Sequence, residues 1–327
     1  MTAPLPWLQT QWGQVSRQME QGRLPHALLL TGPTGVGKLT LARALTRSLL
    51  CEQRSDEGAA CGECRGCRLM AAGTHPDTVE ISPEEDSKVI KIDQIRTLSS
   101  YLSLTTQYGG AKVALVHPAD ALNVNAANSL LKTLEEPAAH AVLILCTSRP
   151  ASLPATVRSR CQTLRVGIPP ADVAAQWLAP QLQSGEFSAE QLLALASGAP
   201  LAAAALVGSD SLACRRRVVE GLAAVVTGRQ DPVSVSSEWL KAGAELPLYW
   251  LYSVTTDIIR LRSSPEHGAS VANADLMATL QRIGERVNLR ELFARHDQLT
   301  AALRAARGQA NPQLLLEDLL IGWTPST

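Results

Sequence analysis

The chain has 327 residues, 46% of them hydrophobic and 18% charged, a globular composition with length enough for more than one core. Thirty basic and thirty acidic residues cancel, which excludes a global field able to hold the chain on nucleic acid without partners. Aromatic residues make up 4%, and no aromatic–basic cluster marks a base-stacking platform.

Met1–Trp7 has no basic segment followed by an apolar stretch, so a cytoplasmic rather than a secreted protein is expected. The longest apolar runs, such as Ala27–Leu30 and Ala141–Cys146, are strand-sized, and no membrane span is expected. Ala27–Thr31 reads as a strand running into a glycine loop, Gly32-Pro-Thr-Gly35-Val-Gly37-Lys38-Leu39-Thr40. Lys38–Leu50 follows as a helix, with Leu41, Ala44, Leu45 and Leu49 at helical spacing. After a cysteine-rich insertion over Cys51–Cys67, Asp77–Ser82 reads as a strand and Ile92–Leu104 as a helix. Lys112–His117 is a further strand, Asn125–Glu136 a helix ended by Pro137, and Ala141–Thr147 another strand. Such alternation predicts an α/β fold, a parallel sheet covered on both faces. Beyond Gly167-Ile-Pro-Pro170 strand signals fade. Residues 171–207 read as a small helical unit punctuated by Gly198-Ala-Pro200. From about Ser211 a helical bundle follows, including Leu248–Leu261 and Asn288–Arg304, with loops at Gly228–Pro232 and Ser263–Ala269.

The glycine loop fits the phosphate-binding pattern G-x-x-x-x-G-K-[ST] up to its last position. Backbone N–H groups of Gly35–Lys38 at the helix start would cradle phosphate, and Lys38 would neutralise it. The last position needs a hydroxyl to ligate Mg²⁺. Leu39 occupies it, and Thr40 stands one residue late. The other half of an ATPase site is an aspartate, usually followed by a glutamate, at the end of a buried strand. Here that strand ends in His117-Pro118, with Asp120 two residues further on. His117 is a candidate substitute base, although a lone histidine at a strand end is more often structural. Hydrolysis by this chain is therefore not expected. The rival reading is an unusual ATPase in which Thr40 and Asp120 bind the metal.

Cys51, Cys61, Cys64 and Cys67 form C-x₉-C-x₂-C-x₂-C, with Gly62 and Gly66 supplying turns. The pattern predicts a closed tetrahedral sulfur shell for a structural Zn²⁺, with an iron–sulfur cluster or free thiols as alternatives. Cys146, Cys161 and Cys214 are scattered and are expected to be ordinary buried residues. Arg158 and Arg160 end a short helix opened by Pro154. They read either as solvated surface charges or as the source of an arginine that acts on a neighbouring subunit's phosphoryl group.

Three stretches together resemble one family. Asn128-Ser-Leu-Leu-Lys-Thr-Leu-Glu-Glu-Pro137, the run Leu153-Pro154 to Ser159-Arg160-Cys161, and the cysteine insertion after the loop helix are similar to bacterial clamp-loader subunits of the AAA+ class. Gly73-Thr-His-Pro-Asp77 adds to the resemblance, which is strong over residues 24–165. It implies three domains: a RecA-like AAA+ domain over 1–166 carrying a zinc module at 51–67, a helical lid over 167–208, and a helical collar over 209–327. In the family's motor, the gamma/tau subunit, an Asp-Glu pair falls where His117-Pro118 stands, and a lid arginine falls at Leu201. The resemblance thus implies a non-hydrolysing stator of the DNA polymerase III clamp loader. Its partners would be the gamma/tau and delta subunits and, through the complex, the sliding clamp (beta) and primer–template DNA. It further implies that Arg160 serves as an arginine finger in a neighbour's ATP site. Gly32, Gly35, Gly37, Lys38 and Thr40 would bind ATP or ADP weakly.

Overall fold

The computed structural model describes residues 5–85, 87–108, 110–182, 186–264, 271–306, 308 and 310–324. The chain folds into two compact units, Met1–Trp177 with Ala199–Ala202, and Leu178–Gly198 with Ala203–Thr327.

The first unit is built on five parallel strands: β1 Ala27–Thr31, β2 Thr78–Ile81, β3 Lys112–Val116, β4 Ala141–Thr147 and β5 Gln162–Arg165, in the order β2-β3-β4-β1-β5. Every residue of β1, β3 and β4 is buried, as their continuous apolar runs require of strands covered on both faces. Successive side chains point to opposite faces. Leu28, Leu30, Val113, Leu115 and Ile144 enter one core, while Ala27, Leu29, Ala114, Val116, Leu143 and Leu145 enter the other. The first face is covered by α1 (Gln9–Glu20) through Trp12, Val15 and Met19, and by α2 (Lys38–Leu49) through Leu41, Ala42 and Leu45. After α3 (Arg65–Ala71), α4 (Ile92–Ser103) and α5 (Val124–Glu135) cover the second face through Ile95, Leu98 and Leu102 and through Ala126, Ala127, Leu130 and Leu134. The short α6 (Ala155–Arg158) precedes β5. Four strands match the sequence expectation within one or two residues. Among elements of this unit not foreseen, α1 and α3 are helices and β5 is an edge strand with only Leu164 of its four residues buried.

Helices α7 (Ala171–Leu178) and α9 (Pro200–Leu206) straddle the division between the units. The second unit contains α8 (Ala189–Leu195), α10 (Ser211–Val226), α11 (Pro232–Leu240), α12 (Glu245–Ser263), α13 (Met277–Glu285), α14 (Leu289–Ala305) and α15 (Pro312–Ile321). Its core gathers Val218, Leu222, Trp239, Trp250, Leu251, Leu292, Leu316 and Trp323. A buried polar chain runs through it: Arg215 donates to Asp275 at 2.9 and 2.5 Å and to Asn273 at 3.1 Å, and Asn273 Nδ2 donates to Asp257 at 2.7 Å. Burying that guanidinium is tolerable because its charge is paired and bonded. Gly228–Pro232 connects α10 to α11, whose N-terminus Asp231 caps by accepting from Ser234 N at 2.9 Å. Of the loop expected over Ser263–Ala269, residues 265–269 lie outside the described residues. Among the described residues no single helix is long and apolar enough to cross a membrane.

Candidate functional site

Strand β1 delivers the chain into the glycine loop, and α2 starts at Lys38. The turn needs its glycines. Gly37 caps the helix in the left-handed region at φ 95°, and Gly35, at φ 81°, lies so close to Ala202 that an added Cβ would come within 2.5 Å of its side chain. Leu201 N donates to Gly35 O at 2.9 Å, which fixes the segment Ala199–Ala202 against the loop. Lys38 Nζ folds back onto the loop and donates to Gly32 O at 2.8 Å and Pro33 O at 2.6 Å. Burial lowers its pKa below the usual lysine range, against the opposing effects of Cys146 and Asp120.

A cavity of about 310 Å³ opens beside the loop, lined by Gly35, Gly37, Lys38, Leu39, Arg43, His117 and Leu201 among others. Arg43 follows Leu39 by four residues on α2 and so shares its face. Its guanidinium donates to Glu80 at 3.1 and 2.5 Å, and Glu80 in turn pairs with His117 Nε2 at 2.5 Å. Strand pairing sets this up: Glu80 lies opposite Leu115 in β2–β3, and His117 N bonds Ile81 O at 2.9 Å. Burial would raise the Glu80 carboxyl, but Arg43 and His117 outweigh it and hold its pKa low. His117, foreseen as a substitute base or a structural residue, is thus tied into an ion cluster where a metal-binding aspartate would stand.

Asp120 does not face the loop as a free ligand. Its carboxylate accepts from Thr147 Oγ1 at 2.6 Å, Ser148 N at 3.3 Å, and Arg149 Nε and Nη2 at 2.9 and 2.6 Å. Burial would raise this carboxyl, yet Thr147 and Arg149 overcome it and hold its pKa below the usual carboxylate value. Thr40 is exposed. Sequence reasoning missed Glu80, Arg43 and Arg149, each of which matters through a contact 29 to 37 residues away in the chain. Arg160 lies just past α6, with Nη1 donating to Thr156 O at 2.9 Å and Nη2 paired with Glu135 of α5 at 2.6 Å. Its side chain is 36% exposed. It is therefore neither a solvated charge without a partner nor a sealed core residue.

The four cysteines come together. Their Sγ atoms all lie within 4.8 Å of one another, with Cys51–Cys64 at 3.8 Å and Cys61–Cys67 at 3.9 Å. A tetrahedral ion with metal–sulfur bonds of about 2.3 Å would space its sulfurs about 3.8 Å apart, so the donor set fits a metal ion. Backbone N–H groups of Cys61, Gly62, Cys64 and Cys67 point at the sulfurs over 3.2–3.4 Å, as knuckles that stabilise thiolates do. Crowding splits the thiols: burial would raise Cys64, but N–H bonds and its neighbours bring it down to about 6, whereas burial pushes Cys67 up to about 12. Four such sulfurs cannot all ionise together unless a cation is present. Cys146, Cys161 and Cys214 are buried and apart from this centre.

The motif Gly73–Asp77 does structural work beside the cysteines. His75 Nδ1 accepts from Asp77 N at 3.1 Å, and Asp77 accepts from Gln107 N, Tyr108 N and the buried Lys112 ammonium.

The family profile described as "DNA polymerase III, delta subunit" matches residues 7–169, and that described as "DNA polymerase III, delta subunit, C terminal" matches residues 209–325. The chain is 38% identical over 322 residues to the DNA polymerase III subunit delta′ of Pseudomonas aeruginosa, covering 97% of this chain and 96% of that one. To the Escherichia coli subunit delta′ it is 34% identical over 320 residues, covering 97% and 94%. A solved gamma subunit-related protein of Thermotoga maritima is similar at 20% identity over 95% of this chain and 97% of that one, with a TM-score of 0.46. The parallel sheet, the glycine loop and the helical remainder define an AAA+-type P-loop protein. The chain belongs to the DNA polymerase III subunit delta′ family.

Proposed function

We propose that the protein is the non-hydrolysing stator of a DNA polymerase III clamp loader, and that it helps a ring of subunits place a sliding clamp on primed DNA. The observation that carries this reading is the Arg43–Glu80–His117 cluster, whose Arg43 and His117 line the cavity beside the glycine loop in place of metal-binding acids. With Asp120 committed to Arg149, no acidic side chain among the described residues lines the loop's cavity. Relatives named as tau subunits, similar over 43% of this chain, support a gamma/tau partner, and a delta subunit would complete the assembly. Arg160 acts in trans, leaving Glu135 to meet the phosphates of a neighbouring subunit's ATP. The four cysteines hold one structural Zn²⁺, whose closed sulfur shell fastens the insertion and leaves no open position for catalysis. Lid and collar follow the layout 167–208 and 209–327, the protein works in the cytoplasm, and Gly32–Lys38 holds nucleotide phosphate only weakly.

The test is steady-state ATPase of the purified chain with Mg²⁺. Background-level turnover, unchanged by Lys38→Ala, is expected. Robust turnover that disappears in Lys38→Ala would sink the stator reading in favour of an autonomous ATPase.

A further inference from the structure

The balanced charge of the chain hides a local excess on the second unit. Two neighbouring cavities, of about 470 and 210 Å³, share Val226, Glu285 and Arg286 in their linings. Arg262, Arg295 and Glu291 add to the larger one, Arg229 and Arg282 to the smaller. Among the described residues, five guanidiniums thus meet two carboxylates, a surplus of positive charge in a chain of thirty basic and thirty acidic residues. Arginines at helix ends complement the helix dipole, which accounts for Arg262 in the last turn of α12 and Arg282 in the last turn of α13. It accounts neither for Arg229, in the turn before α11, nor for Arg295, inside α14.

The side chains are positioned but poorly neutralised. Gly284 lets the Arg262 stem lie against α13, where an added Cβ would come within 3.4 Å of its Cγ and Cδ. Arg229 Nε donates to Thr227 Oγ1 at 2.9 Å and Arg282 Nη2 to Thr279 Oγ1 at 3.1 Å, neutral partners that leave both charges unbalanced. Arg295 lies over the Trp323 ring, 4.6 Å from its centroid, and reaches Glu291 only at 3.5 Å. Its Nη1 is buried without a hydrogen-bond partner among the described residues. Neither Arg262 nor Arg286 makes a side-chain hydrogen bond or ion pair with a described residue.

We infer that this groove, formed by the end of α10, the α13 helix and the start of α14, docks an acidic peptide segment of another protein chain. One carboxylate of the segment enters the larger cavity between Arg262 and Arg286, and a second reaches Arg282 and Arg229 in the smaller one. The planar guanidinium fork matches a carboxylate through paired N–H bonds, and arginine is enriched where protein surfaces dock. Val226 and Val287 in the lining receive the apolar stems of the same segment. Two observations favour a peptide over a nucleic-acid strand. Glu285 and Glu291 break the run of positive charge and would repel an evenly spaced phosphate backbone. The one ring in the linings, Trp323, is 2% exposed beneath Arg295, so no base can stack on it.

Fluorescence anisotropy of the full chain with three labelled probes decides the matter: a peptide of repeated Glu-Glu-Leu, its Gln-Gln-Leu counterpart, and oligo-dT. The glutamate peptide should bind, and more weakly as salt is added, while the glutamine peptide and oligo-dT should bind about tenfold more weakly or not at all. Arg286→Glu, at the residue both cavities share, should weaken the glutamate peptide by about tenfold or more, the loss of one charge-assisted contact. Arg290→Glu reverses an exposed charge outside both linings and should leave binding unchanged. Unaltered melting temperatures would confirm that both variants are folded. Equal weakening by the two variants overturns the inference, because the attraction would then be diffuse. Oligo-dT binding as tightly as the glutamate peptide also overturns it, in favour of a nucleic-acid surface. The inference falls as well if the glutamine peptide binds equally well or if no probe binds.

Discussion

At Asp77 one carboxylate fastens the start of β2, the turn at Gln107–Tyr108 and the first residue of β3. It accepts from Gln107 N at 3.0 Å, Tyr108 N at 3.2 Å and Lys112 Nζ at 3.2 Å, with both charged side chains almost wholly buried. Burial would raise this carboxyl, but the two N–H groups and the ammonium prevail and its pKa falls below the usual carboxylate value. A depressed folded pKa gives stabilisation that is complete above the unfolded value of about 3.9 and fades as pH drops towards the folded one. Asp77→Asn should cost about 3 kcal/mol at pH 7, since it leaves Lys112 buried without its counter-charge. Urea unfolding between pH 3 and 7 should also show a shallower acid limb in the variant. An identical acid limb in the two proteins would remove Asp77 as its source. The sequence marks Gly73–Asp77 as a family feature but conceals this role, because the partners lie 30 or more residues away. The same holds for Glu80, an ordinary strand residue until the fold sets it between Arg43 and His117.

Helices and strands with strong patterns were legible in advance, and those without them were not. The runs Ala-Leu-Leu-Leu-Thr, Lys-Val-Ala-Leu-Val and Ala-Val-Leu-Ile-Leu-Cys-Thr give β1, β3 and β4 because continuous apolar runs survive only when both faces are covered. Strand β5, Gln-Thr-Leu-Arg, borders the sheet and buries one side chain, so it carries no such signal. The cysteine module was legible because four sulfurs at chelating spacing have few other uses, while α3 within it was not. That helix has seven residues and is capped by Cys64, whose side chain accepts from Cys67 N. It is too short to be stable alone and depends on the sulfur centre for its place. Elemental analysis should find about one zinc per chain. Removal by a chelator, or Cys64→Ser, should increase proteolysis within 51–73 and lower the melting temperature while the sheet persists in far-UV circular dichroism. A metal-free preparation with unchanged melting and proteolysis would refute a structural metal.

For the whole molecule the side chain to test is Arg160, proposed above to act in trans. Its ion pair with Glu135 is 36% and 51% exposed, and such pairs contribute about 0–1 kcal/mol, so turning the guanidinium to another subunit would cost little. Arg160→Ala should leave the isolated chain's melting temperature within about 2 °C. In a complex reconstituted with its partners, it should lower ATPase by about tenfold or more without impairing assembly, since trans-acting arginines contribute heavily to phosphoryl transfer. Unchanged ATPase in an intact complex would return Arg160 to a surface role. The Arg43–Glu80–His117 cluster bears on how such a chain could change course. Leu39→Thr alone would set a hydroxyl beside a guanidinium, and His117→Asp alone would press a second carboxylate against Glu80. Neither step alone assembles a metal-ligand set while Arg43 holds Glu80, so a divalent-cation site would need both changes and the withdrawal of Arg43. The interlocked side chains act as a ratchet, and they make a metal site at this loop hard to build one substitution at a time.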